Sequence, residues 1–344
     1  MFFRIFLGFF SKSAQGLESA AVSPTSHKRF KDPSYLGLID MVTASFLFSL
    51  MAACVFQLTR LDSPVEAVMA SFIRVLVTFL ILVLPALSRG RLSPLLGTFQ
   101  PALWLRGLFG GSSLLLSFLS IQRIGPGESA FLTATSGFFV AGLAPWVLGE
   151  PSHRSDWLAI LGGLLGLFLL MIPETLENGD LVGRLMGLGS GFLAALAYLM
   201  VSRAGRRNEP QTVVFYFSLV ALALHLFWFL RWGGCWPKTS EAWLLCLLAG
   251  FLGTLAQMRL TRAYQRAPAA KVSAVGYLSP LLSLLLGMVL FDQIPGPWDG
   301  LGCLLILLAG VALPMARTRH QTSVRPRGDA EAAISRRLAE EHKE

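Results

Sequence analysis

Arg74 has the most demanding setting in this chain. It falls nine residues into an apolar stretch, 65–87, which is about 13 Å of helix at ~1.5 Å per residue. A guanidinium inside a membrane helix costs about 2.5–3.5 kcal/mol on insertion scales, so a partner or a wet cavity must offset it. Two readings follow. Either Arg74 faces a cavity and pairs an anionic group of a substrate, or it is structural, bonded to helix carbonyls or to a carboxylate. Glu66 lies eight residues earlier on roughly the same side. It either pairs with Arg74, carries a proton whose affinity rises on desolvation, or simply favours the dipole of the helix it opens.

Glu128 and Lys271 stand near the openings of two other apolar stretches. They either gate the two ends of a path, or cap a helix and snorkel to headgroups. Ser49, Thr133, Tyr198, Gln257 and Tyr277 are candidates to hydrogen-bond or stack on a substrate. Hydroxyls also bond their own helix at i−4, whereas the Gln257 amide needs partners in lipid. Pro280 breaks a backbone bond inside its stretch, freeing carbonyls for a ligand, for bending, or for a static kink. Arg106, Arg259 and Arg262 lie near helix ends, where their stems snorkel. His225 is either a proton carrier or a hydrogen-bonded residue among Leu and Phe.

Other chemistry is excluded. The sequence holds no GxxxxGK[ST], no HExxH, no GxSxG and no pair of mid-membrane carboxylates on one helix, which argues against ATP-driven pumping and against an enzyme. The cysteines Cys54, Cys235, Cys246 and Cys303 form no CxxC pair, so neither a disulfide nor a metal site is expected. No cofactor is implied.

The elements that position these residues are ten apolar stretches: 36–58, 65–87, 101–121, 127–147, 157–173, 183–202, 211–231, 242–263, 269–290 and 298–315. Each is near the roughly 20 residues needed to cross a bilayer core of about 30 Å. Of the residues, 54% are hydrophobic and 14% charged, and mean hydropathy is +0.60. These values predict an all-α polytopic membrane protein of ten transmembrane helices, without a soluble domain. The net charge of +9 sits largely in the tails and loops, where it sets topology against anionic lipid rather than binding nucleic acid. Residues 1–35 form an N-terminal tail whose first ten residues make an interfacial segment, and 316–344 form a charged C-terminal tail. Ten crossings place both termini on one side. That side also receives Arg89, Arg91, Arg154, Arg203, Arg206, Arg207, Arg262 and Arg266, so both termini are expected in the cytoplasm, in a bacterial-type inner membrane. Gly107/Gly111, Gly162/Gly166 and Gly183/Gly187/Gly191 let helices approach closely, with packing inside the chain favoured over dimerisation.

An offset of 142 lays 125–150 over 267–292, pairing Pro126 with Pro268 and Glu150 with Asp292; an offset of 146 lays 37–51 over 183–197. Residues 36–173 and 183–315 then form two five-helix units, and an odd helix number makes them inverted repeats, an architecture of secondary transporters. The segments RGLFGGSSLLLSFLSIQRIGPGESAFLTATSGFFVAGLAPWVLGEP (106–151) and RAYQRAPAAKVSAVGYLSPLLSLLLGMVLFDQIP (262–295) resemble the EamA family of the drug/metabolite transporter superfamily. The family's mid-helix proline stands at Pro280, but the first unit has no proline at that place, where Gly137 and Phe138 stand, so the two bends are not expected to share a symmetric role. The resemblance implies ten helices around a central cavity and alternating access for a small organic metabolite. The expected cargo is anionic or zwitterionic, like an amino acid or nucleotide derivative, carried by a monomer or homodimer among membrane lipids. The alternatives are a lipid or lysolipid flippase on the same fold, and a membrane scaffold or receptor acting through its tails.

Overall fold

The structure is a computed structural model that describes residues 33–90, 92–149, 180–205 and 207–292, with isolated positions within 161–169 and 296–308. Every described element is helical: α1 Pro33–Thr59, α2 Ala67–Ser88, α3 Ser93–Leu96, α4 Pro101–Ile124, α5 Pro126–Ala134, α6 Ser136–Leu148, α7 Leu181–Ala204, α8 Pro210–Trp232, α9 Ser240–Arg266, α10 Ala269–Gly276 and α11 Leu278–Phe291. Among the described residues, eight spans are long and apolar enough to cross a membrane, counting α5 with α6 and α10 with α11 as one each. The expected boundaries agree with these helices to within three residues. The fifth and tenth expected crossings, 157–173 and 298–315, and both tails fall outside the described residues or on isolated positions among them.

Local chemistry sets the ends. Proline, which has no N–H to lose, opens α4, α5 and α8. The Asp180 carboxylate accepts from the Gly183 N–H at 2.8 Å and caps α7. That bond, with Arg123 at 2.9 Å, holds the Asp180 carboxyl below its ordinary value against an opposing cost of burial. Large apolar side chains stay on the outside, Leu230 at 89% and Trp146 at 80% exposure, as a lipid-facing surface requires.

The most extensive packings are α1 against α9 and α4 against α7. Glycines permit them. A Cβ on Gly37 would stand 3.2 Å from the Ala263 carbonyl of α9, and on α7 one on Gly183 would stand 2.8 Å from Arg123 Cβ and one on Gly187 2.9 Å from Ser120 Oγ, both on α4. Gly107 and Gly111 bring α4 onto α8 in the same way. These steps pack helices within the chain, as expected.

Two spans are interrupted, at Thr135 between α5 and α6 and at Tyr277 between α10 and α11. The two breaks are 142 residues apart, the same offset that relates the two sequence units. Both interruptions are present although only Tyr277 has a proline close after it, Pro280. Gly137 has no side chain because Tyr277 fills that space, with Tyr277 Oη 2.7 Å from where a Cβ would stand.

Candidate functional site

The two broken spans and α1, α2, α4, α7, α8 and α9 enclose a cavity of about 170 Å3. Arg74 from α2 and Arg106 from α4 both reach it. They are 1% and 2% exposed. Both guanidiniums lie over the ring of Phe217 on α8, at 5.4 and 4.7 Å from its centre, so the ring's negative face offsets part of their charge. Arg74 Nη2 makes one long bond, 3.5 Å, to the Gly253 carbonyl. Its Nε and Nη1, and Nε of Arg106, have no partner. Gly110 lacks a side chain where the Arg106 guanidinium lies.

Among the described residues, no carboxylate lines this cavity. The buried Asp40 is taken by Arg259 at 3.0 Å and Arg266 at 2.7 Å. Glu128 pairs with Arg184, which is buried on α7. Glu66 is exposed at the N-cap of α2. Of the two structural alternatives for Arg74, a carboxylate partner is not found among the described residues, whereas a helix carbonyl is, in the one long bond to Gly253. The site carries uncompensated positive charge in a place shielded from bulk water, a setting that suits an anion.

The rest of the lining is neutral and polar. Tyr198 stacks on Tyr264 with ring centres 4.9 Å apart and planes 20° from parallel. Tyr198 also lies within electrostatic reach of both arginines. Tyr264 Oη, Gln257 Nε2, Thr133 Oγ1, Ser45 Oγ and Ser129 Oγ have no partner, and all five residues line the cavity. Orphaned groups at a cavity wall are available to a polar ligand or to water.

Of the residues singled out in the sequence, Arg74, Thr133, Tyr198, Gln257 and Pro280 line the cavity. Ser49 and Tyr277 do not. The Ser49 hydroxyl is within bonding distance of the Ser45 carbonyl at 2.9 Å and the Ser279 carbonyl at 3.0 Å, tying α1 to α11. Tyr277 lies behind the wall, against Phe138 and Gly137. Lys271 is half-buried in α10 and outside the lining. His225 is hydrogen-bonded, to the Ala221 carbonyl at 2.7 Å and Ser71 Oγ at 2.9 Å. Arg106 corrects the sequence reading. It does not snorkel to the headgroups, because Phe217 and the gap at Gly110 turn its guanidinium inward. Tyr264 and Phe217 were not singled out, and no local pattern marks them among the chain's 25 Phe and 5 Tyr.

The model of the EamA-like transporter family matches residues 35–172 and 181–313. An uncharacterized transporter of Helicobacter pylori is 29% identical over 286 residues, 81% of this chain and 95% of the relative. The pseudopaline exporter CntI of Pseudomonas aeruginosa is 28% identical over 282 residues, 80% of this chain and 95% of the relative. A riboflavin transporter of Vibrio cholerae is 29% identical over 181 residues, 52% of this chain and 59% of the relative. A solved crystal structure at 21% identity superposes with a TM-score of 0.61, covering 81% of this chain and 97% of that one, and so shares the fold.

Proposed function

The chain belongs to the EamA-like transporter family, and on that premise we propose that it carries a small anionic organic molecule by alternating access. That it is a multi-pass membrane protein and a secondary transporter of a small molecule, not an enzyme, follows from the family. The substrate does not, since two relatives are named for different cargoes. One observation carries the anionic reading: two buried guanidiniums share one cavity whose described lining holds no carboxylate. Arg74 and Arg106 hold the anionic group. Thr133, Tyr198, Gln257 and Tyr264 take the neutral part of the molecule, with Ser49 and Tyr277 bracing the wall behind.

Ten crossings in two inverted units complete the reading, with both termini in the cytoplasm. Supporting it are the two family-model matches, the breaks at Thr135 and Tyr277, and the paired packing of α1 on α9 and α4 on α7. In this arrangement Glu128–Arg184 closes the outer end, with Glu66 at the rim. Asp40 with Arg259 and Arg266 closes the inner end near Lys271. The bend beside Pro280 flexes between the two states.

The test compares metabolites inside and outside cells that contain the wild-type chain, the Arg74→Ala variant, or neither. The expected result is one or more anionic metabolites redistributed by the wild type and not by Arg74→Ala, at equal protein in the membrane. Full transport by the variant removes Arg74 from the mechanism. Flux that survives deletion of 1–30 and 318–344 argues against a scaffold acting through its tails.

A further inference from the structure

We infer that this carrier is an anion exchanger: it reorients readily with an anion in the cavity and poorly without one. The inference rests on the anionic reading above and adds how transport is coupled. Its basis is the missing counter-charge. Asp40, Glu128 and Asp180 are held by Arg259 and Arg266, by Arg184 and by Arg123. Asp62, Glu66, Glu209, Glu241 and Asp292 are exposed. The stretch 157–173 contains no acidic residue, and 298–315 contains one, Asp299, at its start. Among the described residues, none of these carboxylates lines the cavity that holds Arg74 and Arg106.

Alternating access passes through a state in which the cavity is closed to water at both faces. While one face is open, water solvates the two guanidiniums. On closure they lose that water and repel each other in a medium of low dielectric. Phe217 offsets part of the cost, but a phenyl ring is a weaker cation acceptor than an indole. A bound anion removes the repulsion and supplies the missing hydrogen-bond acceptors at Arg74 Nε and Nη1 and Arg106 Nε. On membrane-insertion costs, even one uncompensated guanidinium in the closed state slows the empty carrier at least about 70-fold relative to the loaded one. Two cations also favour an anion with two negative charges, such as a dicarboxylate or a phosphate monoester, over a monocarboxylate. The same lack of a cavity carboxylate leaves no titratable acid there to couple flux to protons.

The test uses the full chain, purified, with three probes: succinate, phenyl phosphate and benzoate. Thermal stability at constant ionic strength comes first. Succinate or phenyl phosphate is expected to raise Tm more than benzoate, and the Arg74→Gln/Arg106→Gln double variant should lose the effect. If no probe binds, the anionic reading falls and the exchange inference falls with it. The probe that stabilises most is then radiolabelled and offered to vesicles loaded either with the same unlabelled probe or with none. Valinomycin and potassium hold the membrane potential at zero in both. Uptake at least about 70-fold faster into preloaded vesicles is the expected result. Equal uptake into both, with binding intact, overturns exchange and leaves the anion site standing.

Discussion

Replacing Arg106 by Gln separates a substrate-binding arginine from a structural one. The guanidinium is 2% exposed, lies 4.7 Å from the centre of the Phe217 ring, and leaves Nε without an acceptor. A charged hydrogen bond to a buried anion contributes about 1.5–3 kcal/mol. Losing a forked contact should therefore cost about 2–3 kcal/mol, or roughly a 30- to 150-fold rise in Kd. An arginine at the membrane surface would contribute under about 1 kcal/mol and move Kd less than about fivefold. Stability should move the opposite way. Gln removes a buried charge that nothing neutralises, so the unliganded variant should melt at a higher temperature than the wild type. Calorimetric titration with phenyl phosphate or succinate, paired with thermal unfolding in the same detergent, reads both quantities. Unchanged anion affinity together with a lower Tm would refute the reasoning, because that pattern belongs to an arginine that braces helices.

Glu128→Gln should destabilise the protein by about 2–3 kcal/mol, at the low end for a broken buried pair because Glu128 is 20% exposed while Arg184 is 1% exposed; thermal unfolding checks it, and an unchanged Tm would show that Arg184 has no need of this partner. Gly191→Val should cost about 1–3 kcal/mol by overpacking, because its Cβ would stand 2.6 Å from Thr135 Oγ1 and 2.8 Å from the Leu132 carbonyl; a Tm equal to wild type would mean that α7 and α5 are not so close. Asp180 has a lowered pKa, so its ionised form adds stability that is complete above about pH 4 and is lost as pH falls through the folded value. The Tm gap between wild type and Asp180→Asn should therefore exist at pH 7 and shrink below about pH 4, staying under about 1 kcal/mol since Arg123 is 46% exposed; a gap that grows in acid would reverse the sign of the argument.

The helices were legible because each needs only a long apolar run bounded by proline, glycine or charge, and lipid enforces that composition locally. Arg74 was legible for the same reason, as a charge too far from either helix end to reach water. Arg106 was not. It lies five residues after Pro101, where a long stem can reach the headgroups, and only Phe217, 111 residues on, reveals that it turns inward. Asp40 was equally hidden, since its partners Arg259 and Arg266 are 219 and 226 residues away. Ser49 and Tyr277 had suitable chemistry on suitable helices, but rotation about the helix axis turns one toward carbonyls and the other behind the wall. The bend at Thr135 carried no proline to announce it and arises from what packs against Gly137 and Gly191.

The account depends on water and positive charge coexisting in the middle of the bundle, and thiol accessibility measures both without knowledge of the substrate. Cys235 is exposed while Cys54, Cys246 and Cys303 are buried, so the Ala194→Cys variant in a Cys235→Ser background places one reactive thiol on the cavity wall. Two water-soluble thiol reagents of equal size, one a sulfonate and one a trimethylammonium, are timed against it in membranes. The sulfonate should react at least about tenfold faster, because Arg74 and Arg106 concentrate anions in the cavity. Faster reaction by the cationic reagent, or no reaction by either, would contradict a wet and positively charged interior.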